Sequence, residues 1–306
     1  MSPRIVFLGS PDFAVPCLED LAKDYNIVGV VTQPDRPFGR GQKLAPSAVK
    51  DAALALGLPV YQPESLRSLE AFAKLSSWQP DLMIVVAYGQ ILSEAVLNIP
   101  SIACLNVHAS LLPRWRGAAP IQAAIEAGDP KTGVTIMQVV PKLDAGPIIS
   151  QREVPIRPGT FADELSQQLA YLGAKTLLET LPAYLDGRLK PVPQDESKVS
   201  YAHMLKKSQS KLDFKERAEQ IVRKVHAYHP WPGTFFEHKG LRIKVLDAHV
   251  HDTFGAVPGL HYVVNGLPAV GTAECLLVMD KLQPAGKKPM SGEDFLRGQR
   301  DWLETD

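Results

Sequence analysis

Asn106 and His108 stand two residues apart at the end of an apolar run, in the segment LNVHASLLPRWRGAAP (Leu105–Pro120). Residues two apart in a β-strand share a face, so these side chains should project together at the carboxyl end of a strand, with Cys104 on the same face. The first 202 residues contain no other histidine. An acidic residue that could join the pair follows at Asp144, within the turn sequence KLDAGP.

An asparagine, a histidine and an aspartate in one cleft would provide what acyl transfer to an amine requires. The Asn106 amide donates two N–H groups, the His108 ring holds or moves a proton near neutral pH, and Asp144 orients that ring and favours its charged form. The attacking amine must lose a proton, and the oxygen of the tetrahedral intermediate needs donors. Two alternatives stay open: a buried polar pair satisfied by backbone groups, and a nucleophilic Cys104 paired with His108. A free cysteine so deep in a strand is usually inert.

The turn after the histidine favours a binding pocket. Its first part, Ser110, Leu111, Leu112 and Pro113, is apolar and conformationally restricted, and Trp115 follows among cationic residues. Such a loop could form the wall of a pocket for a flat heterocycle. The alternative is a loop that leads into a helix, with Trp115 as a surface anchor.

The elements that must position these residues alternate between strand and helix patterns. Short apolar runs of the kind found in buried parallel strands predict strands over Arg4–Gly9, Asn26–Thr32, Asp81–Tyr88 and Ile102–His108. Helical patterns cover Asp12–Lys23, Pro46–Leu56 and Ser65–Ser76, and a long amphipathic helix over Phe161–Leu185 would close the domain. This alternation predicts a doubly wound, Rossmann-like α/β sheet with its chemistry at the carboxyl ends of the strands.

The chain changes character after Asp186. A polar, proline-containing stretch to Ser210 is typical of a linker, and a helix with a basic face is predicted over Phe214–Tyr228. Short alternating runs broken by glycine and proline then predict a small, OB-like β-barrel, with strands over Thr234–His238, Arg242–Ala248, Leu260–Asn265, Ala269–Gly271 and Cys275–Leu282. We therefore expect a catalytic domain at 1–187, a linker at 188–207 and a second domain at 208–306.

Two basic regions are candidate nucleic-acid surfaces. The segment Asp35–Lys50 follows a predicted strand at the active edge of the sheet, and glycines on both sides of one arginine would let a nucleic acid approach its backbone. Its cations are Arg36, Arg40, Lys43 and Lys50. Cations of the second half could track a phosphate backbone: Lys206, Lys207, Lys211, Lys215, Arg223 and Lys224. Each region could equally be ordinary solvated surface.

Bulk composition excludes several classes of protein. Lys plus Arg and Asp plus Glu are both 33, so the whole chain offers polyanions no strong field, although residues 188–306 carry 18 basic against 15 acidic residues. Three scattered cysteines support neither a disulfide framework nor a zinc ribbon. No apolar run approaches the roughly 18 residues of a membrane span or forms a signal peptide. We expect a cytoplasmic protein with no membrane partner.

Nicotinamide and metal sites are also disfavoured. The first strand–helix turn, GSPDFA, has Gly9 as its only glycine and puts Asp12 where a pyrophosphate would lie, so it departs from a dinucleotide-binding turn. His249 and His251 could share a strand face, but no clustered cysteine or carboxylate completes a metal shell nearby. We assign neither NAD nor a metal.

Four segments closely resemble the methionyl-tRNA formyltransferases, a branch of the 10-formyltetrahydrofolate-dependent formyltransferase family. They are FLGSPDFA, VVTQPDRPFGRGQKLAPSAVK, LNVHASLLPRWRGAAPIQAAI and KLDAGPII, and the resemblance spans essentially the whole chain. The Asn-x-His pair, the SLLP turn and the later aspartate are shared across the family and so specify the reaction and the folate. The DRPxGRGxK loop and the appended domain narrow the acceptor to initiator methionyl-tRNA.

The resemblance implies formyl transfer from 10-formyltetrahydrofolate to the methionine α-amine on initiator tRNA. Asn106 and His108 would stabilise the developing oxyanion, while Asp144 would hold His108 charged and help to relay the proton of the amine. The turn from Ser110 to Pro113 would line the folate site, and Arg36, Arg40, Lys43, Lys206 and Lys207 would meet the tRNA. The expected enzyme is a monomer that forms no covalent intermediate.

Three other functions are open on the residues alone. The same formyl-transfer chemistry could act on a purine precursor, a nucleotide sugar or water, although the GRG loop and the basic second half argue against this. A nicotinamide oxidoreductase would suit the fold but not the first turn. A non-catalytic RNA-binding module would leave the Asn106, His108 and Asp144 set without a purpose.

Overall fold

The computed structural model describes residues 2–38, 43–299 and 301–303. The chain forms two compact units. The first comprises Met1–Pro120, Lys131–Val154 and Ser166–Ala202, and the second comprises Ile121–Pro130, Pro155–Leu165 and His203–Asp306.

Strands and helices alternate through the first 202 residues. The strands are β1 (Arg4–Gly9), β2 (Asn26–Val31), β3 (Arg36–Phe38), β4 (Lys43–Ala45), β5 (Val60–Tyr61), β6 (Leu82–Val86), β7 (Ala103–His108), β8 (Arg116–Gly117), β9 (Lys131–Gln138), β10 (Ile148–Pro155) and β11 (Tyr201–Ala202). The helices are α1 (Val15–Asp24), α2 (Ala48–Ala55), α3 (Leu69–Ser77), α4 (Glu94–Leu97), α5 (Pro120–Ala127) and α6 (Ala162–Leu185).

Seven of these strands form one sheet, in the order β10-β9-β7-β6-β1-β2-β5. The pairs β1–β2, β1–β6, β6–β7 and β2–β5 are parallel, whereas β7–β9 is antiparallel. β7 therefore lies inside the sheet, between β6 and β9. Its last residue, His108, is at the carboxyl edge, where sites of doubly wound sheets occur.

The sheet has an apolar core on each face. Alternate residues of β1 point to opposite sides, so Ile5 and Phe7 join one buried cluster while Val6 and Leu8 join the other. Helices α2, α3 and α4 begin at serine N-caps whose hydroxyl oxygens accept the backbone N–H three residues later. These caps satisfy donors that a helix leaves free at its first turn.

The second unit contains an antiparallel sheet. α7 (Ala218–Ala227) precedes β12 (Thr234–His238), β13 (Leu241–His251), β14 (His261–Val264), β15 (Leu267–Gly271), β16 (Leu276–Pro284) and β17 (Met290–Ser291), and α8 (Gly292–Gly298) follows. The strand order is β12-β13-β16-β15-β14, and β17 pairs with β16. The core is built around Ile221, Phe236, Ile243 and Trp302.

The predicted architecture is confirmed: a Rossmann-like α/β sheet followed by a smaller β domain. β1 and β12 have the predicted bounds, and β2, β6 and β7 differ from prediction by at most two residues at either end. The small domain is compatible with the OB-like barrel, which stays a prediction. The predicted helix start at Phe214 is wrong because Asp213 holds a turn there, accepting the Lys215 backbone N–H at 3.0 Å. Among the described residues, no helix is long and apolar enough to cross a bilayer.

Candidate active site

β7 delivers Asn106 and His108 on one face of the sheet. Leu105 and Val107, which alternate with them, are buried in the core on the opposite face. In register, Asn106 lies between Val85 of β6 and Met137 of β9. Within the described part of the chain, the Asn106 amide has no hydrogen-bond partner, so both of its N–H groups can be donated to a bound molecule.

The His108 ring is nearly buried and its orientation is fixed by a backbone carbonyl. Nε2 lies 2.9 Å from the Trp115 oxygen, and a carbonyl only accepts, so Nε2 carries a proton. Nδ1 faces Asp144, 3.8 Å from Oδ2. That distance is too long for a hydrogen bond. In the neutral ring Nδ1 therefore carries no proton, and it faces the Asp144 carboxylate.

A backbone N–H holds the Asp144 carboxylate in place. Its Oδ2 accepts the Gly117 N–H at 2.8 Å. Both Asp144 and Trp115, the two residues that face the His108 nitrogens, have left-handed backbones, with φ of 45° and 64°. Non-glycine residues adopt this conformation at a cost, and such residues cluster at functional sites. Gly117 cannot be replaced freely, because any Cβ there would collide with the Ala202 carbonyl.

A buried polar network lies behind the Asp144 turn. The Arg116 guanidinium is 0% exposed and donates to Gln194 Oε1 at 3.0 and 2.8 Å. The Gln194 amide nitrogen donates in turn to the carbonyls of Asp144 and Gly146, both at 2.8 Å. Glu196 accepts from Arg116 and Lys142, each at 2.8 Å. These two bonds lower the pKa of Glu196 to about 2, so it stays ionised over the working range of pH.

Residues 192–202 form a strap that binds the loops carrying the site. Val192 and Ile148 exchange backbone hydrogen bonds of 2.8 Å. Ser200 accepts the Trp115 N–H through its hydroxyl at 3.0 Å and the Arg116 N–H through its carbonyl at 2.9 Å. β11 pairs in parallel with β8. Sequence reasoning missed Gln194, Glu196 and Ser200, because the polar run PVPQDESKVS has the composition of a linker.

The four predicted folate residues lie in the loop after β7 and divide into two pairs. Ser110 and Leu112 are buried, and the Ser110 hydroxyl donates to the Arg114 carbonyl at 2.6 Å. Thr135 supports the loop, accepting the Leu112 N–H at 3.1 Å. Leu111 and Pro113 are partly exposed. The apolar side chains that this loop can offer to a ligand are therefore those of Leu111 and Pro113. The buried Ser110 and Leu112 stabilise the conformation of the loop.

The predicted tRNA contacts are only partly described. Arg36 is exposed in β3, whereas Arg40 and the Lys43 side chain lie outside the described residues. Lys50 is held by Asp35 at 2.7 Å, and Gln62 donates to the same carboxylate. These bonds lower the pKa of Asp35, with Gln62 the larger cause. Lys50 therefore supports the base of the loop.

The cations of the second unit fall into paired and unpaired sets. Lys206 and Lys207 are exposed and form no ion pair among the residues that the structure describes, and Lys215 behaves likewise. The paired cations are Lys211 with Glu237 at 2.9 Å, Lys224 with Glu216 at 3.7 Å, and Arg223 with Glu219 at 4.0 Å. Lys206, Lys207 and Lys215 are the ones available to phosphates.

No group of three potential metal ligands occurs among the described side chains. His249 pairs with Asp280, with Nδ1 2.8 Å from Oδ2. Of the two histidines considered as a metal pair, His249 and His251, the first is therefore already paired with a carboxylate.

Cys104 lacks the properties of a nucleophile. It is buried on the Asn106 face of β7, and burial raises the pKa of its thiol to about 12. A reactive cysteine needs a thiolate, which burial in apolar surroundings suppresses. The thiol alternative therefore receives no support from the site.

Comparison with known families decides between the remaining alternatives. The family model described as formyl transferase matches residues 3–181, and the model described as formyl transferase, C-terminal domain, matches residues 204–300. The chain belongs to the formyl transferase family. The predicted family is thus confirmed, and this formyl transferase is an enzyme, unlike the non-catalytic alternative.

Individual relatives show which members of this family the chain is similar to. The methionyl-tRNA formyltransferase of Hydrogenovibrio crunogenus is 46% identical over 301 residues, covering 97% of this chain and 96% of that one. The N-formyltransferase of Helicobacter canadensis, solved with folinic acid and dTDP-3-aminofucose, is 17% identical, has a TM-score of 0.70, and is matched over 91% of this chain and 99% of that one.

A further solved relative is HypX of Aquifex aeolicus in complex with tetrahydrofolic acid. It is 16% identical with a TM-score of 0.62, over 99% of this chain and 48% of that one. The formyl transferase described here therefore spans about half the length of HypX. Likeness at this identity shows the fold alone.

The buried state of Cys104 predicts its chemical behaviour. Cys104→Ser should keep formyl transfer within about threefold, because the thiol stays protonated at neutral pH. In the native protein a thiol reagent should modify Cys275, which is partly exposed, and spare Cys17 and Cys104. Mass spectrometry after labelling, with a denatured sample as control, measures this. A folded but inactive Cys104→Ser would restore the thiol mechanism.

Proposed function

We propose that this enzyme transfers the formyl group of 10-formyltetrahydrofolate to the α-amino group of methionine on initiator methionyl-tRNA, giving N-formylmethionyl-tRNA. The observation that carries the proposal is 46% identity to a methionyl-tRNA formyltransferase over nearly all of both chains. The geometry of Asn106, His108 and Asp144 supports it, because these residues meet the needs of acyl transfer to an amine.

The reaction forms one C–N bond and breaks another. The methionine nitrogen attacks the formyl carbon, and the folate nitrogen then leaves and gains the proton that the amine loses. Negative charge develops on the formyl oxygen, so donors placed there lower the barrier. The free Asn106 N–H groups would supply such donors, and the positive charge of a protonated His108 ring would add electrostatic stabilisation.

Asp144 has two parts in this mechanism. Its Oδ2, fixed by the Gly117 N–H, lies 3.8 Å from His108 Nδ1 and would orient the ring. Its Oδ1 makes no hydrogen bond among the described residues and can accept a proton from the attacking amine. Because the Nε2–H is donated to the Trp115 carbonyl, Nδ1 is the ring nitrogen left to exchange a proton during turnover.

The two substrates would use separate surfaces. Ser110, Leu111, Leu112 and Pro113 would form the folate wall, with Leu111 and Pro113 in contact and the buried pair holding the loop. Arg36, Arg40 and Lys43 would act near the aminoacylated end of the tRNA. Lys206 and Lys207 would meet its phosphates, within a tRNA-binding region at 208–306 and the segment before it. We place the enzyme in the cytoplasm as a monomer.

The catalytic assignment predicts large effects on turnover. Asn106→Ala, His108→Ala and Asp144→Ala should each lower kcat about a hundredfold or more, as expected for lost oxyanion donors or acid–base groups. Affinity for tRNA should change less than threefold, because none of these residues contributes a phosphate contact. Single-turnover formylation of purified methionyl-tRNA measures the first quantity and filter binding the second. Wild-type turnover in His108→Ala, or formylation of an amino sugar nucleotide but not methionyl-tRNA, would contradict the proposal.

The folate wall predicts a separation between exposed and buried leucines. Leu111→Asp should weaken binding of folinic acid, a stable formyl folate, about tenfold or more, because a charge would face the apolar part of the ligand. Leu112→Asp should instead lower the melting temperature sharply, since Leu112 is only 3% exposed. Calorimetric titration and thermal unfolding of both variants distinguish the effects. Unchanged affinity in Leu111→Asp removes this loop from the folate site.

The unpaired lysines predict a salt-dependent effect. Lys206→Ala combined with Lys207→Ala should weaken tRNA binding and reduce the slope of log K against log salt by up to about two units, one for each lost phosphate contact. Single-turnover formylation at saturating tRNA should stay within threefold. Lys23→Ala is the matched control, because Lys23 is exposed but already paired with Asp20 at 2.6 Å. An unaltered salt slope in the double variant would show that these lysines are solvated surface.

A further inference from the structure

One side chain binds two backbone carbonyls of the turn that carries Asp144. The carbonyl oxygens of Asp144 and Gly146 both accept from the Gln194 amide nitrogen, at 2.8 Å. Asp144 has the left-handed φ of 45°, which an aspartate adopts only where its surroundings enforce it. Gly146 packs so closely on the Gln138 carbonyl that no Cβ fits. The two hydrogen bonds from Gln194 therefore support the part of this turn whose backbone conformation is strained.

The Gln194 amide can take only one orientation. Its nitrogen faces two carbonyl oxygens, which only accept, and its oxygen faces two N–H groups of Arg116, which only donates. Rotating the amide by 180° would place its oxygen against the two carbonyl oxygens and its N–H groups against those of Arg116. The buried guanidinium thus decides which end of Gln194 meets the Asp144 turn.

Arg116 also links this orientation to His108. The carbonyl of the preceding residue, Trp115, accepts the His108 Nε2–H, and the following residue, Gly117, donates its N–H to the Asp144 carboxylate. The Arg116 side chain is also linked to the Asp144 carbonyl, because Gln194 forms hydrogen bonds with both. Three consecutive residues therefore determine both ends of the His108–Asp144 contact.

Glu196 completes the set from an exposed position. Glu196 forms ion pairs with the buried Arg116 guanidinium and with Lys142, which lies two residues before Asp144. A buried guanidinium without such compensation would be strongly unfavourable. The carboxylate accordingly secures Arg116 in the position that orients Gln194.

We propose that Gln194 is a positioning residue for formyl transfer: oriented by Arg116, it holds Asp144 at the distance from His108 Nδ1 that the reaction requires. This rests on the proposed function, because it takes Asp144 as a catalytic residue. Gln194 itself is buried and acts through Asp144, so its loss should alter turnover and leave substrate affinity unchanged.

The variant Gln194→Glu tests this with little change of shape. Glutamate keeps the oxygen that Arg116 binds but replaces the donor to the two carbonyls by a second acceptor. We expect kcat to fall about ten- to hundredfold, the effect of a misplacement of about 1 Å. KM for methionyl-tRNA and affinity for folinic acid should stay within twofold. Gln168→Glu, which adds the same charge at an exposed position of α6, is the control and should retain its kcat.

A double-mutant cycle separates positioning from a general structural role. In the Asp144→Asn background, Gln194→Glu should cause no further loss of kcat, because the carboxylate it positions is already gone. If the two losses multiply, or if Gln194→Glu alone keeps wild-type kcat, the positioning proposal is overturned. If Gln194→Glu does not fold, as judged by thermal unfolding, the same cycle is made with Gln194→Met, which removes both donors without adding charge.

The cycle also distinguishes this proposal from the proposed function. A low kcat in Asp144→Asn with a normal kcat in the folded Gln194 variant overturns only the role of Gln194. A normal kcat in Asp144→Asn overturns the catalytic assignment of Asp144, on which both proposals depend.

Discussion

A positive charge without access to solvent lies behind His108 and Asp144, and the geometry of the site depends on its compensation. Burying a guanidinium costs several kcal/mol unless its donors are matched by acceptors. Arg116 meets this need with Gln194 and Glu196, both on the strap of residues 192–202. Removing the strap would take away these acceptors, so the interaction that neutralises Arg116 also holds the strap in place.

This compensation explains how two unfavourable backbone conformations persist around one histidine. Trp115 and Asp144 each occupy the left-handed region, at a cost of roughly 1–3 kcal/mol. Each is bound on more than one side: Trp115 by Ser200 and His108, and Asp144 by Gly117 and Gln194. The strained residues are thus the ones whose carbonyl or carboxylate fixes the imidazole. A ring held in this way has Nε2 bound to the Trp115 carbonyl and Nδ1 facing the Asp144 carboxylate.

Sequence reasoning reached the parts of this arrangement that local periodicity encodes. Alternation along β7 placed Asn106 and His108 on one face, and the sharp turn around Asp144 marked a site-forming loop. It did not reach Gln194, because that residue lies 78 positions from Arg116 and no local pattern records a contact at such a separation. Arg116 is one of the cations around Trp115 in the sequence, and no local pattern predicted that its side chain is buried. β9 was missed since it joins the sheet antiparallel, outside the strand–helix alternation that predicts a doubly wound fold.

The strap also sets an order of events during synthesis of the protein. A nascent chain that has left the ribosome as far as the end of α6 already contains His108 and Asp144, yet it has no acceptor for the Arg116 guanidinium. Gln194 follows Asp144 by 50 residues and Ser200 follows Trp115 by 85. The site is therefore completed only when the segment to Ala202 has emerged. A chain interrupted before Gln194 would carry Asn106, His108 and Asp144 without the strap that supports the turns around them.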